Sequence, residues 1–168
     1  SHRDIPPVTQ NVKVDVTELE RIRASINEGK EKSEKITFND FIVKAVAKVL
    51  PNHDRFRMII KDNGFVRYDR INIGVAVSVD EGLLVPVIRD ADKKGIKQIS
   101  KEVKELAAKA RSSSLSPDEY GDARITITNL GMYGVHSFTP IINQPEASIL
   151  GVCAIEEELC LKEDKVAV

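Results

Sequence analysis

The run Ile125-Thr126-Ile127-Thr128-Asn129-Leu130-Gly131-Met132-Tyr133-Gly134 constrains this chain more than any other stretch. A β-branched alternation that breaks into Thr-Asn-x-Gly reads as a strand carrying Thr128 and Asn129 to its mouth, because glycine accepts the positive φ needed to turn there. A hydroxyl at a strand end, beside a turn whose backbone a ligand can approach closely, is a candidate site. The run continues into Phe138-Thr139-Pro140-Ile141-Ile142-Asn143-Gln144-Pro145, and the apolar segment from Ala147 to Ile155 reads as another buried strand.

With 168 residues, 42% of them hydrophobic, the chain can bury one sizeable core, and a single domain over 1–168 is expected. Its 25 basic and 26 acidic residues leave no broad basic field of the kind that drives nucleic-acid binding. Every apolar run falls short of the roughly 20 residues a membrane span needs. The start, Ser1-His2-Arg3-Asp4, has no signal-like apolar region, so a soluble cytoplasmic protein is expected. Cys153 and Cys160 lie apart from any CxxC or Cys/His cluster, which reads as two structural cysteines with no disulfide framework and no metal site.

The remaining pattern alternates helices and strands. Val12, Val14 and Val16 suggest a strand, and Thr17-Glu18-Leu19-Glu20 reads as a capping box opening a helix toward Gly29. Thr37 caps a second helix whose apolar face is Phe38, Phe41, Ile42, Ala45, Val46, Val49 and Leu50, ended by Pro51-Asn52. A short strand spans Gly64 to Tyr68. Ile71, Ile73, Val75, Val77 and Val79 read as one half-buried strand, turned by Asp80-Glu81-Gly82 into a hairpin in which Pro86 marks an edge or bulge. Ser100 is expected to cap a third helix bearing Val103, Leu106, Ala107 and Ala110, and Ser116-Pro117-Asp118-Glu119 a short fourth. The tail ends as Val166-Ala167-Val168 begins a further strand. The fold class is mixed α+β, a sheet covered by helices.

These residues resemble the catalytic core of the dihydrolipoyl acyltransferases, the central subunits of 2-oxo acid dehydrogenase complexes, most of all the pyruvate dehydrogenase type. The resemblance rests on Ile5-Pro6 with Val8-Thr9, Asp15-Val16-Thr17-Glu18-Leu19, Ile71-Asn72-Ile73-Gly74-Val75-Ala76-Val77, and Gly82-Leu83-Leu84-Val85-Pro86-Val87-Ile88. Further matches are Lys94-Gly95-Ile96, Thr128-Asn129-Leu130-Gly131 and Pro140-Ile141-Ile142-Asn143-Gln144-Pro145. It implies a chloramphenicol-acetyltransferase-like fold, and homotrimers that build cubic or dodecahedral cores. It also implies transfer of an acyl group, acetyl rather than branched-chain, between a dihydrolipoyl group on a separate lipoyl domain and coenzyme A, with dehydrogenase components as partners. No metal is implied. A mitochondrial matrix location would replace the cytoplasm in a eukaryote.

The family's chemistry needs a base, because a thiol of pKa near 8.5 is a poor nucleophile until deprotonated, and a donor for the oxyanion. By resemblance Thr128 is that donor. Arg23, Thr37, Ser78, Thr128, Asn129 and Cys153 would line the coenzyme A channel. Read from the residues alone, Arg23 is equally an ordinary helix arginine and Thr37 merely a cap. The family's base lies in a His-x-x-x-Asp-Gly motif that does not occur in these residues, and the expectation is that it follows Val168. His2, His53 and His136 do not replace it, His136 reading as a surface or capping residue. Pro7, Arg57, Ser78 and Gly121-Asp122-Ala123 depart from the usual pattern. A non-catalytic scaffold subunit of the same complex, or an antibiotic acetyltransferase of the same fold, are the alternatives.

Overall fold

A computed structural model describes residues 6–61, 64–162 and 165–167. The expectations for Ser1 to Ile5, for Val168 and for the Cys160 side chain fall outside the described residues. In chain order the elements are α1 (Thr17–Asn27), α2 (Phe38–Val49), β1 (Met58–Lys61), β2 (Gly64–Arg67), β3 (Ile73–Val75), β4 (Val77–Val79), β5 (Gly82–Leu84), β6 (Val87–Ile88), α3 (Ile96–Arg111), β7 (Ile125–Asn129), β8 (Ile149–Val152), β9 (Cys160–Lys162) and β10 (Lys165–Ala167).

Four of the strands form a mixed sheet in the order β6-β3-β7-β8. β6 is antiparallel to β3, whereas β3, β7 and β8 run parallel. Because successive side chains on a strand point to opposite faces, the register sorts the sheet into two sides. Ile73 lies beside Ile125 and Ile88, and Ile127 beside Val75 and Leu150, all toward the helices. There they join Val43, Ala47 and Leu50 from α2 and its extension, and Ile99 and Leu106 from α3, in one core. Fully burying an isoleucine contributes roughly 1.5–3 kcal/mol, so this layer holds the sheet to its helices. On the other side Gly74 lies beside Thr126 and Val87, and Gly151 beside Thr128.

The second helix begins as expected: Thr37 N–H donates to Asp40 Oδ2 (2.7 Å) and Asp40 N–H to Thr37 Oγ1 (3.3 Å), a reciprocal capping box. Its buried face is rotated from the expected one. Val43 and Ala47 are the deepest residues, with Ile42 and Val46 at the flank, whereas Ala45 and Val49 are exposed. A helix apolar on most of its circumference satisfies several 3-and-4 spacings at once, and the sheet selects among them. Phe41 and Ala45, with Leu19 of α1, instead line a shallow apolar groove.

Other expectations are corrected. Residues 6–15 are exposed and join no sheet, because the Val12, Val14 and Val16 alternation has no neighbouring strand to complete a ladder. Thr17 does not cap α1: Asp15 Oδ1 takes both the Thr17 N–H (3.0 Å) and hydroxyl (2.6 Å), and Val16 occupies the cap position. The stretch from Ile71 to Val79 is two strands, broken at Ala76. β3 is buried on both faces as a central strand, while β4 leaves the sheet to pair with β5 through the expected Asp80-Glu81-Gly82 turn. Pro86 interrupts β5 and β6, as a residue without an N–H must. α3 starts at Ile96, four residues before Ser100, which is buried within it. Lys44 of α2 holds that earlier entry by donating to the carbonyls of Asp92 (3.2 Å) and Lys94 (2.7 Å). The Ala147 to Ile155 strand shortens to β8, which is half-buried. β1 escaped the sequence reading because its four residues carry too little pattern.

Asn27, the last residue of α1, is buried and clamps the entry to α2 by accepting the Ile36 N–H and donating to the Ile36 carbonyl, both at 2.8 Å. An Asn27→Ala substitution strands both groups of Ile36 away from water and is expected to cost about 3 kcal/mol. Urea denaturation would show this as a lowered midpoint with unchanged slope.

Candidate active site

β7 presents its two candidate residues to opposite sides of the sheet. Asn129 follows Ile125 and Ile127 onto the helix side, where its Nδ2 donates to Asn39 Oδ1 (3.0 Å) on the first turn of α2. Its own Oδ1 accepts the Gly131 N–H (2.8 Å), tightening the turn that follows. A Cβ at Gly131 would sit 2.5 Å from the Cys153 carbonyl oxygen, so glycine is required there for the turn to pack on the end of β8. Thr128 follows Thr126 onto the other side. Half-buried beside Gly151, its hydroxyl has no hydrogen-bonding protein partner among the described residues.

The expected coenzyme A set is therefore divided. Around the start of α2 the structure gathers Thr37, Asn129 and Arg23, whose guanidinium carbon lies 4.3 Å from the centre of the Phe38 ring. Arg23 Nε is buried and unpartnered, an available donor at the positive end of a helix. Cys153 approaches this side through its backbone carbonyl against Gly131, and its thiol is free. Ser78 is exposed on β4 opposite Leu83, in the two-stranded β4-β5 ladder and not in the central sheet. Asn39, the partner of Asn129 that sequence reasoning passed over, had as its only signal its place within the capping box.

The side of the sheet that carries Thr128 is covered by the strap from Phe138 to Glu146. Phe138 and Pro140 close on Gly151, whose added Cβ would meet them at 3.0 and 3.3 Å. At the other end Glu146 is 2% exposed, and its Oε1 accepts from the Thr126 hydroxyl (2.8 Å) and from Asn143 Nδ2 (2.9 Å). Burial raises the Glu146 pKa above the ordinary 4.5, an effect that its hydrogen bonds from Thr126 and Asn143 and the charge of Arg124 oppose. Glu146 Oε2 is buried without a partner. It borders a cavity of about 220 Å³ lined also by Val85, Val87, Arg124 and Asn143. Sequence reading missed Thr126, Arg124 and Glu146, although a lone acid inside the apolar stretch after Pro145 was a signal.

The departures from the family pattern have structural occupations. Asp122, at φ +62°, accepts from Asn72 (3.0 Å), Arg89 (3.4 Å) and Arg124 (2.5 Å), and so organises the turn before β7. Arg57 is buried and pairs with Asp54, while Pro7 is exposed. His136 sits 71% exposed with Nδ1 2.8 Å from Glu156 Oε1, in keeping with a surface role. His53 packs edge-on to Phe56. Among the described residues no cluster of His, Cys, Asp and Glu could hold a metal, and no helix is long and apolar enough to cross a membrane.

The sequence pattern of the 2-oxoacid dehydrogenases acyltransferase (catalytic domain) family matches residues 1–168. The chain belongs to this family. It is 38% identical over 170 residues to the dihydrolipoyllysine-residue acetyltransferase component of the pyruvate dehydrogenase complex of Rickettsia bellii, covering 100% of this chain and 41% of that protein. The chain thus spans about two fifths of the length of the curated relatives it matches. The cubic core of the pyruvate dehydrogenase multienzyme complex superposes with a TM-score of 0.91 at 37% identity, over 98% of this chain and 68% of that one. A probable dihydrolipoamide acetyltransferase from Listeria monocytogenes gives 0.87 at 34% identity, over 93% and 68%. The chloramphenicol-acetyltransferase-like α+β class is thereby established, and Thr128 sits on a family scaffold.

Because the folded pKa of Glu146 is raised, the proton it holds stabilises the folded state fully below about 4.5, and this contribution is lost as pH rises through the folded value. Glu146→Gln removes the ionisation. Thermal melts from pH 4 to 8 should show the variant's advantage over the unsubstituted protein growing with pH from near zero.

Proposed function

We propose that this chain is the acyltransferase core of a 2-oxo acid dehydrogenase complex, moving an acyl group, acetyl in preference to branched-chain, between a dihydrolipoyl group and coenzyme A. The observation that carries the reading is the hydroxyl of half-buried Thr128, without a hydrogen-bonding partner among the described residues, at the carboxyl end of a central strand. Its neighbour on the same face of β7 is occupied, the Thr126 hydroxyl donating to Glu146 Oε1. A donor held ready in a partly dry site costs no reorganisation when charge develops on the thioester oxygen, and this is where such donors accelerate acyl transfer. The similarity to acetyltransferase components of pyruvate dehydrogenase complexes supports the acetyl preference.

Substrate binding is assigned to the helix side. The Arg23 guanidinium suits the phosphates of coenzyme A, since its planar fork binds oxyanions through two hydrogen bonds. Thr37, Asn129 and the Cys153 carbonyl lie around the same entrance. The thiol must still lose its proton to a base, and no described histidine stands free for that task at Thr128. In this reading the base comes from a His-x-x-x-Asp-Gly segment outside these residues. The protein is further proposed to form trimers that assemble into a cubic or dodecahedral core. It would receive acyl groups from lipoyl domains beside the dehydrogenase components, in the cytoplasm or, in a eukaryote, the mitochondrial matrix.

Acyl transfer from acetyl-dihydrolipoamide to coenzyme A by the full-length protein tests the reading. Loss of one oxyanion donor costs about 3 kcal/mol of barrier, so Thr128→Ala should lower kcat roughly a hundredfold with the fold intact by circular dichroism. Unchanged turnover would remove Thr128 from the chemistry. Arg23→Ala should raise KM for coenzyme A far more than KM for the lipoyl substrate, and equal rises would point to a folding defect instead.

A further inference from the structure

The strap crosses the Thr128 side of the sheet anchored at both ends, and the two anchors differ in kind. At one end Phe138 and Pro140 press on Gly151, directly beside Thr128, through contacts that any side chain larger than glycine would disturb. At the other, Glu146 Oε1 holds two donors at once: Thr126, two residues before Thr128 on the same face of β7, and Asn143 of the strap itself. The backbone completes the attachment, with Glu146 N–H donating to Asn143 O (3.0 Å) and Ile60 N–H of β1 to Pro145 O (2.8 Å). Gly74 opposite Thr126 leaves the room this requires, since an added Cβ would come within 2.8 Å of the Thr126 hydroxyl oxygen.

We propose that Glu146 is a positioning residue for the Thr128 hydroxyl: one carboxyl oxygen, shared between Thr126 and Asn143, ties the strap to β7 and so fixes the wall against which the thioester oxygen must lie. Burying a carboxyl at 2% exposure costs free energy that an apolar residue would not incur, so its presence calls for a return other than stability. Two glycines flank the tether and the hydroxyl on this one side, Gly74 beside Thr126 and Gly151 beside Thr128. Glu146 itself touches no reacting atom; it acts through Thr126 and the strap.

This inference rests on the acyl-transfer reading, and its test separates the two. Full-length protein, unsubstituted and as Glu146→Ala, Glu146→Gln and Thr126→Val, is assayed for acetyl transfer to coenzyme A and for amide hydrogen exchange across residues 138–146. Glutamine keeps an oxygen for both donors, so E146Q should retain kcat at pH 7 and protect the strap as the unsubstituted protein does. E146A should speed exchange in the strap and lower kcat about 10- to 100-fold, the scale of a small misplacement of reacting groups, while KM for coenzyme A stays near its original value. T126V, which removes one donor and keeps the shape, should shift both readouts in the same direction and serves if E146A does not fold. Unchanged strap exchange or unchanged kcat in both E146A and T126V would overturn the proposal, as would failure of E146Q to restore them. An unsubstituted protein that transfers no acetyl group would defeat the functional reading, while the exchange data would still decide whether Glu146 tethers the strap.

Discussion

The pleat of β7 is the constraint on which the rest of the structure depends. A strand hydrogen-bonded on both sides has only two directions for its side chains, and five residues use both. Ile125 and Ile127 face the core shared with α2 and α3, and that apolar layer fixes the register, since a slip of one residue would place threonines among isoleucines. Once the isoleucines are fixed, Thr126 and Thr128 must face the strap, and Asn129 must reach α2. The chemistry of the site is thus set by the packing of residues that take no part in it.

The two sides of the sheet are built by different means. The helix side is a conventional apolar core, closed by lysines 44 and 104, which tie loop carbonyls to helices. The strap side is polar and tightly fitted: small residues at Gly74 and Gly151, a buried carboxyl at Glu146, and Arg124 stacked 4.0 Å from the centre of the Tyr68 ring and paired with Asp122. Buried polar groups are costly unless partnered, and several here keep an unpartnered atom, Arg124 Nε and Glu146 Oε2 among them. These two lie on the side that carries Thr128, whereas Arg23 Nε, Asp40 Oδ1 and Ser100 Oγ are unpartnered atoms on the helices.

Local chemistry was legible in the sequence where it is self-contained. The Thr37 box, the Asp80-Glu81-Gly82 hairpin and the Ser116-Pro117-Asp118-Glu119 turn all form because their partners lie within a few residues. Readings failed where the partner is distant. The alternating valines before α1 lack a strand to pair with, the buried face of α2 is chosen by the sheet, and the start of α3 is set by Lys44 rather than by a serine cap. Of the site, Thr128 and Asn129 were legible as a strand end, but their separation onto two faces was implicit in the period of two and went unused. Arg23 and Thr37 both lie at the start of α2, whereas Ser78 lies on β4, which leaves the central sheet at Ala76 to pair with β5.

By itself the sequence determined the self-contained features, the capping box of α2, the β4–β5 hairpin and the β-branched strand that breaks at Thr128-Asn129, and the family to which they belong, because each depends on residue types at short range. Only the tertiary structure decided that Glu146, twenty residues from Thr126, would share one oxygen with it and with Asn143. It also decided that Asn39 and Asn129, ninety apart, would join a helix start to a strand end. Contacts of that separation carry no local signal, since they exist only after the sheet has brought its strands into register.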